Sequence, residues 1–172
     1  MLFRSHNDVM AGAVTVADPA LGERLQYRLN TTGATLAPFD SFLLLRGLKT
    51  LSLRMERHES NARAVVDFLR AAPQVARVLY PGRSGMISFD LADGVDIAVV
   101  LESVRVFTFA ESLGGVESLV TCPTVQTHAD VPPATRARYG LTDRLLRLSA
   151  GIEDPADLVA DLRGALEAAS RA

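Results

Sequence analysis

Apolar positions recur along this chain with two periods, and the switches between them mark its elements. Leu21, Leu25 and Leu29 fall at four-residue spacing behind Asp18-Pro19, an N-cap with proline in the first turn, and predict a short helix ending near Asn30 to Gly33. Ahead of it, His6 to Val16 is apolar and rich in small residues, with Val9, Met10, Val14 and Val16 bracketing Ala11-Gly12-Ala13, and predicts a closely packed strand. From Pro38-Phe39-Asp40-Ser41 a long helical pattern runs through Phe42, Leu45, Leu48, Leu51, Leu53 and Met55 to Val65, Val66 and Leu69, with Gly47 inside it as a close contact or a bend. A helix of that length suits a domain junction or a subunit contact, and equally a core helix.

From Val75 the period shortens. Val78-Leu79-Tyr80 stops at Pro81-Gly82, and Ile87, Phe89 and Leu91 alternate with Met86, Ser88 and Asp90, which predicts two neighbouring strands. Ile97, Val100, Leu101 and Val104 return to helical spacing despite their β-branched content, so burial against a sheet must override propensity there. Val106 to Ala110 and Glu117 to Val120 read as strands, Pro132 to Arg138 as a short helix, and Leu145 to Ser149 as a strand. Asp154 as N-cap, Pro155 and Asp157 then open a last helix with Leu158, Leu162 and Leu166 on one stripe. Strands and helices mixed in this way predict an α/β or α+β layer.

Composition narrows the possible chemistry. With 172 residues, 48% of them hydrophobic, the chain can build one core, or one core with an extra arm. A net charge of -2, no tryptophan and no basic stripe argue against a nucleic-acid partner. His6, His58 and His128 lie far apart and Cys122 is the single cysteine, so no metal-ligand spacing exists and no disulfide can close within the chain. No apolar run reaches membrane-spanning length, no signal-peptide layout is present, and a reducing, cytoplasmic location is the expectation.

The candidate chemistry gathers late. Alternation along Leu145–Ser149 turns Leu146 and Leu148 to one face and Arg147 and Ser149 to the other, so that Arg147 can present a planar fork of donors to a carboxylate; a solvated surface arginine is the plainer reading. Glu111 and Ser112 stand at a strand end before Gly114-Gly115, a pair that permits a hairpin turn or a close backbone approach to a ligand. His128, beside Thr127, is a possible general base, though a lone histidine more often serves structure.

Six stretches, in order, resemble one family: His6-Asn7-Asp8-Val9-Met10-Ala11-Gly12, residues 40–51, Arg54-Met55-Glu56, residues 110–119 around Glu111-Ser112-Leu113-Gly114-Gly115, Thr127-His128-Ala129, and residues 147–154 from Arg147-Leu148-Ser149-Ala150-Gly151. They are similar to the C-terminal part of the pyridoxal 5'-phosphate (PLP) enzymes of cysteine and methionine metabolism, the cystathionine γ-synthase, cystathionine γ-lyase and O-acetylhomoserine sulfhydrylase group. The resemblance implies an α+β small domain with a mixed, largely antiparallel sheet and helices on one side, like the C-terminal domain of fold-type I PLP-dependent transferases. Residues 1–36 would be a strand-plus-helix remnant of the large PLP-binding domain, and residues 37–172 the small domain with its junction helix. Arg147 would hold a substrate α-carboxylate, Ser112 would lie near that carboxylate and the cofactor, Glu111 would be the acidic residue of the side-chain pocket, and Thr127 would lie near it.

Two departures accompany the match. The family's Schiff-base lysine stands five residues before the histidine that matches His6, which brings Met1 to its place, and the only lysine, Lys49, matches a family lysine without that role. Between Tyr80-Pro81-Gly82 and Gly85 only Arg83-Ser84 remain of a longer family insert. The resemblance therefore implies a fragment of a transsulfuration enzyme with no catalytic, cofactor-binding or metal-binding residue of its own. It would be silent alone, and would assemble as a homo-oligomer or with a missing N-terminal half. A cofactor-free amino-acid-binding module, or a subunit-interaction protein, is the alternative.

Overall fold

Asp18 caps a helix where the leucine spacing asks for one: its carboxylate accepts the Ala20 N–H at 3.0 Å at the start of α1 (Pro19–Thr32), and Gly33, at φ 68°, closes the far end by donating to the Leu29 carbonyl. The computed structural model describes residues 6–171. They divide into two compact units, Met1–Leu51 and Ser52–Ala172. Among the described residues no helix is long and apolar enough to cross a membrane.

Two expectations for the first half of the chain are corrected. The stretch His6 to Val16 forms no strand: residues 8–16 carry no regular structure, and Met10 and Val14 are exposed. A strand exists only where a neighbour takes up its backbone donors and acceptors, and no described segment pairs with this one. The long helix is two helices, α2 (Pro38–Leu48) and α3 (Leu51–Ala71). Where they part, the Lys49 N–H reaches back no further than Arg46, and both the amide and the hydroxyl of Thr50 turn to the Gly47 carbonyl. A glycine with weak helix propensity and a hydroxyl competing for its carbonyl interrupt the ladder there.

The second unit is a five-stranded sheet under helices. Its strands are β1 (Val75–Leu79), β2 (Met86–Leu91), β3 (Thr108–Phe109), β4 (Leu119–Thr121) and β5 (Leu145–Ser149), in the order β1-β2-β5-β4-β3. All pairs are antiparallel except β3 with β4, so the mixed, largely antiparallel sheet is as expected. The β1–β2 pairing shifts register between Val75 and Arg77. One sheet face presents Ile87, Phe89 and Leu91 beside Leu146, Leu148 and Val120. Onto it pack α3 through Val65, Val66 and Leu69, α4 (Ile97–Ser103) through Val100, and α6 (Pro155–Ala169) through Leu158, Leu162 and Leu166. A short helix, α5 (Pro133–Arg138), precedes β5.

The strand expected over Val106 to Ala110 shrinks to two residues for a specific reason. Asp161 of α6 accepts the backbone N–H groups of Arg105, Val106 and Phe107 at 2.7, 2.9 and 2.9 Å, so those donors are unavailable to a ladder. The Gly114-Gly115 stretch is not a hairpin either, because the strands it joins run parallel; residues 110–118 pass back over the sheet, and Gly114 donates to the Ser149 hydroxyl at 2.8 Å.

Candidate functional site

The sheet face away from the helices carries a polar row. Register pairs Arg147 of β5 with Ser88 of β2 on one flank and with Thr121 of β4 on the other, so the three side chains emerge side by side. Leu146 and Leu148 are fully buried on the opposite face, which makes a one-residue slip prohibitive and fixes Arg147 outward. The Arg147 Nη2 donates to the Glu111 carbonyl at 2.9 Å and to the Thr121 hydroxyl at 3.2 Å. Its Nε is buried and has no partner. Burial lowers the guanidinium pKa, and the nearby Glu111 carboxylate opposes that shift. The result is a cation held at one tip, with a buried donor left unpaired beside it.

Behind this row, α3 grips the turn that follows β5. Arg54, His58 and Asn61 continue the buried stripe of α3 toward its N-terminus, where polar groups replace the valines. Asn61 Nδ2 donates to the carbonyls of Gly151 and Glu153 at 3.0 and 2.8 Å, and Arg57 Nη2 to that of Glu153 at 3.1 Å. The Glu153 carboxylate in turn accepts the N–H and hydroxyl of Ser118 at 2.6 and 2.8 Å, while the Ser118 hydroxyl accepts the Gly151 N–H at 2.8 Å. The segment carrying Glu111 and Ser112 is thereby tied to the end of the Arg147 strand.

His58, fully buried, meets the Ala150 carbonyl through Nδ1 at 2.7 Å, so Nδ1 carries the proton and the unpartnered Nε2 is a bare acceptor. A second proton at Nε2 would be buried without an acceptor. Burial accordingly lowers the His58 pKa below its ordinary 6.5; Arg54 adds to the shift, while the backbone bonds and Glu153 oppose it. A histidine depressed in the folded state contributes stability that is complete above the unfolded value and is lost as pH falls toward the folded one. Urea midpoints are expected to fall from pH 7.5 to 5.5, and to fall less in His58→Gln.

Of the residues singled out from sequence, the structure brings Arg147 and Glu111 together, with Ser112 exposed on the same segment. Thr127 is exposed in the run of turns over residues 123–130, and its hydroxyl pairs with His128 Nδ1 at 2.7 Å rather than with the arginine. The position matched to the Schiff-base lysine, Met1, lies outside the described residues. Thr121 and the His58–Asn61 grip escaped the sequence reading. The first was signalled by its alternation with Val120 and Cys122, the second by the 54, 58, 61 spacing in phase with Val65 and Leu69.

This sheet order, with helices on one face and an arginine on the other, defines a class: the architecture of fold-type I PLP-dependent enzymes, seen in solved structures that match 97% of this chain. The chain belongs to the Cys/Met metabolism PLP-dependent enzyme family, whose model matches residues 3–167. It is 51% identical over 157 residues to a cystathionine gamma-synthase of Haemophilus influenzae, covering 91% of this chain and 42% of that protein. Cystathionine gamma-lyase of Bacillus subtilis is 44% identical, with 94% and 47% covered. Cystathionine gamma synthase from Xanthomonas oryzae pv. oryzae, solved in complex with aminoacrylate and cysteine, superposes with a TM-score of 0.91 at 40% identity, over 98% of this chain and 48% of that one. The chain thus spans under half the length of the relatives it matches.

The family's cofactor is tethered through a lysine amine. The unit that holds Arg147 has no lysine, and Lys49 stands at the C-cap of α2 in the other unit. No lysine amine of this unit is therefore available to tether PLP beside Arg147.

Proposed function

We propose that this chain is the C-terminal part of a PLP-dependent transsulfuration enzyme, one that replaces or eliminates the γ-substituent of homoserine-ester, cystathionine or cysteine type substrates. The observation that carries the reading is the Arg147 guanidinium, fixed on the open sheet face with its Nε unpaired and Glu111 beside it. In this role Arg147 takes the α-carboxylate, Ser112 approaches the same group, Glu111 presents an acidic side chain to the far end of the substrate, and Thr127 lies near that pocket. The complex of the Xanthomonas oryzae relative with aminoacrylate and cysteine supports an amino-acid substrate. Residues 1–36 are then a remnant of the large PLP-binding domain and residues 37–172 the small domain.

The chain alone holds no PLP and is catalytically silent, because the unit that holds Arg147 contains no lysine. Its work requires a partner, a second copy or a separate N-terminal half, in the cytoplasm. Mixing the pure chain with PLP is expected to give no absorption band near about 420 nm beyond that of free cofactor; a borohydride-reducible adduct at one defined residue would overturn the reading. A cofactor-free amino-acid-binding or subunit-interaction module is the second reading, and the exposed Phe39, Phe42 and Leu45 of α2 favour it.

A further inference from the structure

Resting on the reading of Arg147 as a carboxylate clamp, we propose that Thr121 is the positioning residue that aims it. The Thr121 hydroxyl donates its one proton to the Ala110 carbonyl at 2.6 Å, which leaves only lone pairs for the guanidinium; Arg147 Nη2 donates to them at 3.2 Å. The main chain therefore keeps the hydroxyl proton turned away from the guanidinium, which has donors only. Thr121 is itself 1% exposed on β4, directly across the ladder from Arg147, and its β-branched side chain has restricted χ1 freedom. Among the described residues, the other acceptor of Arg147 is the carbonyl of Glu111, an exposed residue in a segment without regular structure. With both Nη2 protons spent on these two acceptors, the side chain is held so that Nε stays buried and free. Without the hydroxyl, one carbonyl of an exposed segment would hold a long, rotamer-rich side chain. Among the described residues no hydrogen bond joins Ser88, on the other flank, to the guanidinium, so the steering is one-sided.

The test uses the full chain, labelled for NMR, with thermal stability followed in parallel. In Thr121→Val, which keeps the shape and removes the hydroxyl, hydrogen exchange at the Arg147 Nε–H is expected to accelerate about tenfold, the loss of one charge-assisted bond. Thr121→Ser is expected to restore the slow exchange, which a purely packing role would not do. Thr121→Ala gives the same reading should the valine variant not fold. Unchanged exchange in a folded Val or Ala variant overturns the proposal, as does a Ser variant that behaves like Val. A second arm titrates sodium acetate and follows the same resonance: a wild-type chain that shows no response there, while Thr121→Val still frees the Nε–H, defeats the clamp reading and leaves the positioning role standing.

Discussion

Replacing Gly151 by alanine is expected to destabilise the C-terminal unit by about 3–5 kcal/mol, the range reserved for steric conflicts that a core cannot relieve. A Cβ there would collide with the Val116 carbonyl oxygen and the Glu153 carboxylate, and would stand 2.7 Å from the Glu117 carbonyl carbon. None of these can retreat cheaply. The Val116 carbonyl accepts the Ile152 N–H at 2.9 Å, and Glu153 is committed to Ser118. Urea unfolding of Gly151→Ala beside Gly164→Ala checks this. A Cβ at Gly164, on the exposed side of α6, meets nothing within 4 Å, so that change is expected to be neutral or to stabilise by up to about 1 kcal/mol. Equal midpoints for the two variants would show that the turn after β5 adapts.

The second large effect concerns binding. Arg147→Leu removes the fork, the charge and the unpaired Nε together, and the response to a carboxylate ligand is expected to weaken about 100-fold or more, the worth of two charge-assisted hydrogen bonds. Arg147→Lys keeps the charge as a point and loses the planar pair of donors, so about a tenfold loss is expected. Titrations of L-cysteine and sodium acetate against the three proteins measure both numbers. A leucine variant that responds like the wild type would place the carboxylate site elsewhere.

What could be read from sequence divides along physical lines. The caps at Asp18 and Asp154, the two-residue alternation of Ile87-Phe89-Leu91 and the buried stripe of α6 are local signals, and each element stands where they point. The failures are events between distant segments. The shortened β3 depends on a carboxylate of α6 reaching back to residues 105–107, and the parallel run of β3 and β4 on where residues 110–118 cross the sheet. The break after Leu48 was half legible: Gly47 marked the place, but the turn of the Thr50 hydroxyl toward its carbonyl did not show. The outward face of Arg147 was legible because alternation alone decides it. The neighbours Thr121 and Ser88 were not, since sequence contains no strand order.

The register shift between Val75 and Arg77 lies on β1, a border strand of the sheet. An extra residue in a border strand twists its free amides and carbonyls out of line, so a foreign segment laid along them cannot zip past that point. Arg77, drawn to Asp90 at 2.6 Å yet half in water, adds a charge that such a newcomer would have to strip of solvent. This side of the sheet is built to refuse fibril-like growth, which leaves β3, with its exposed Phe109, as the border where sheet extension would begin.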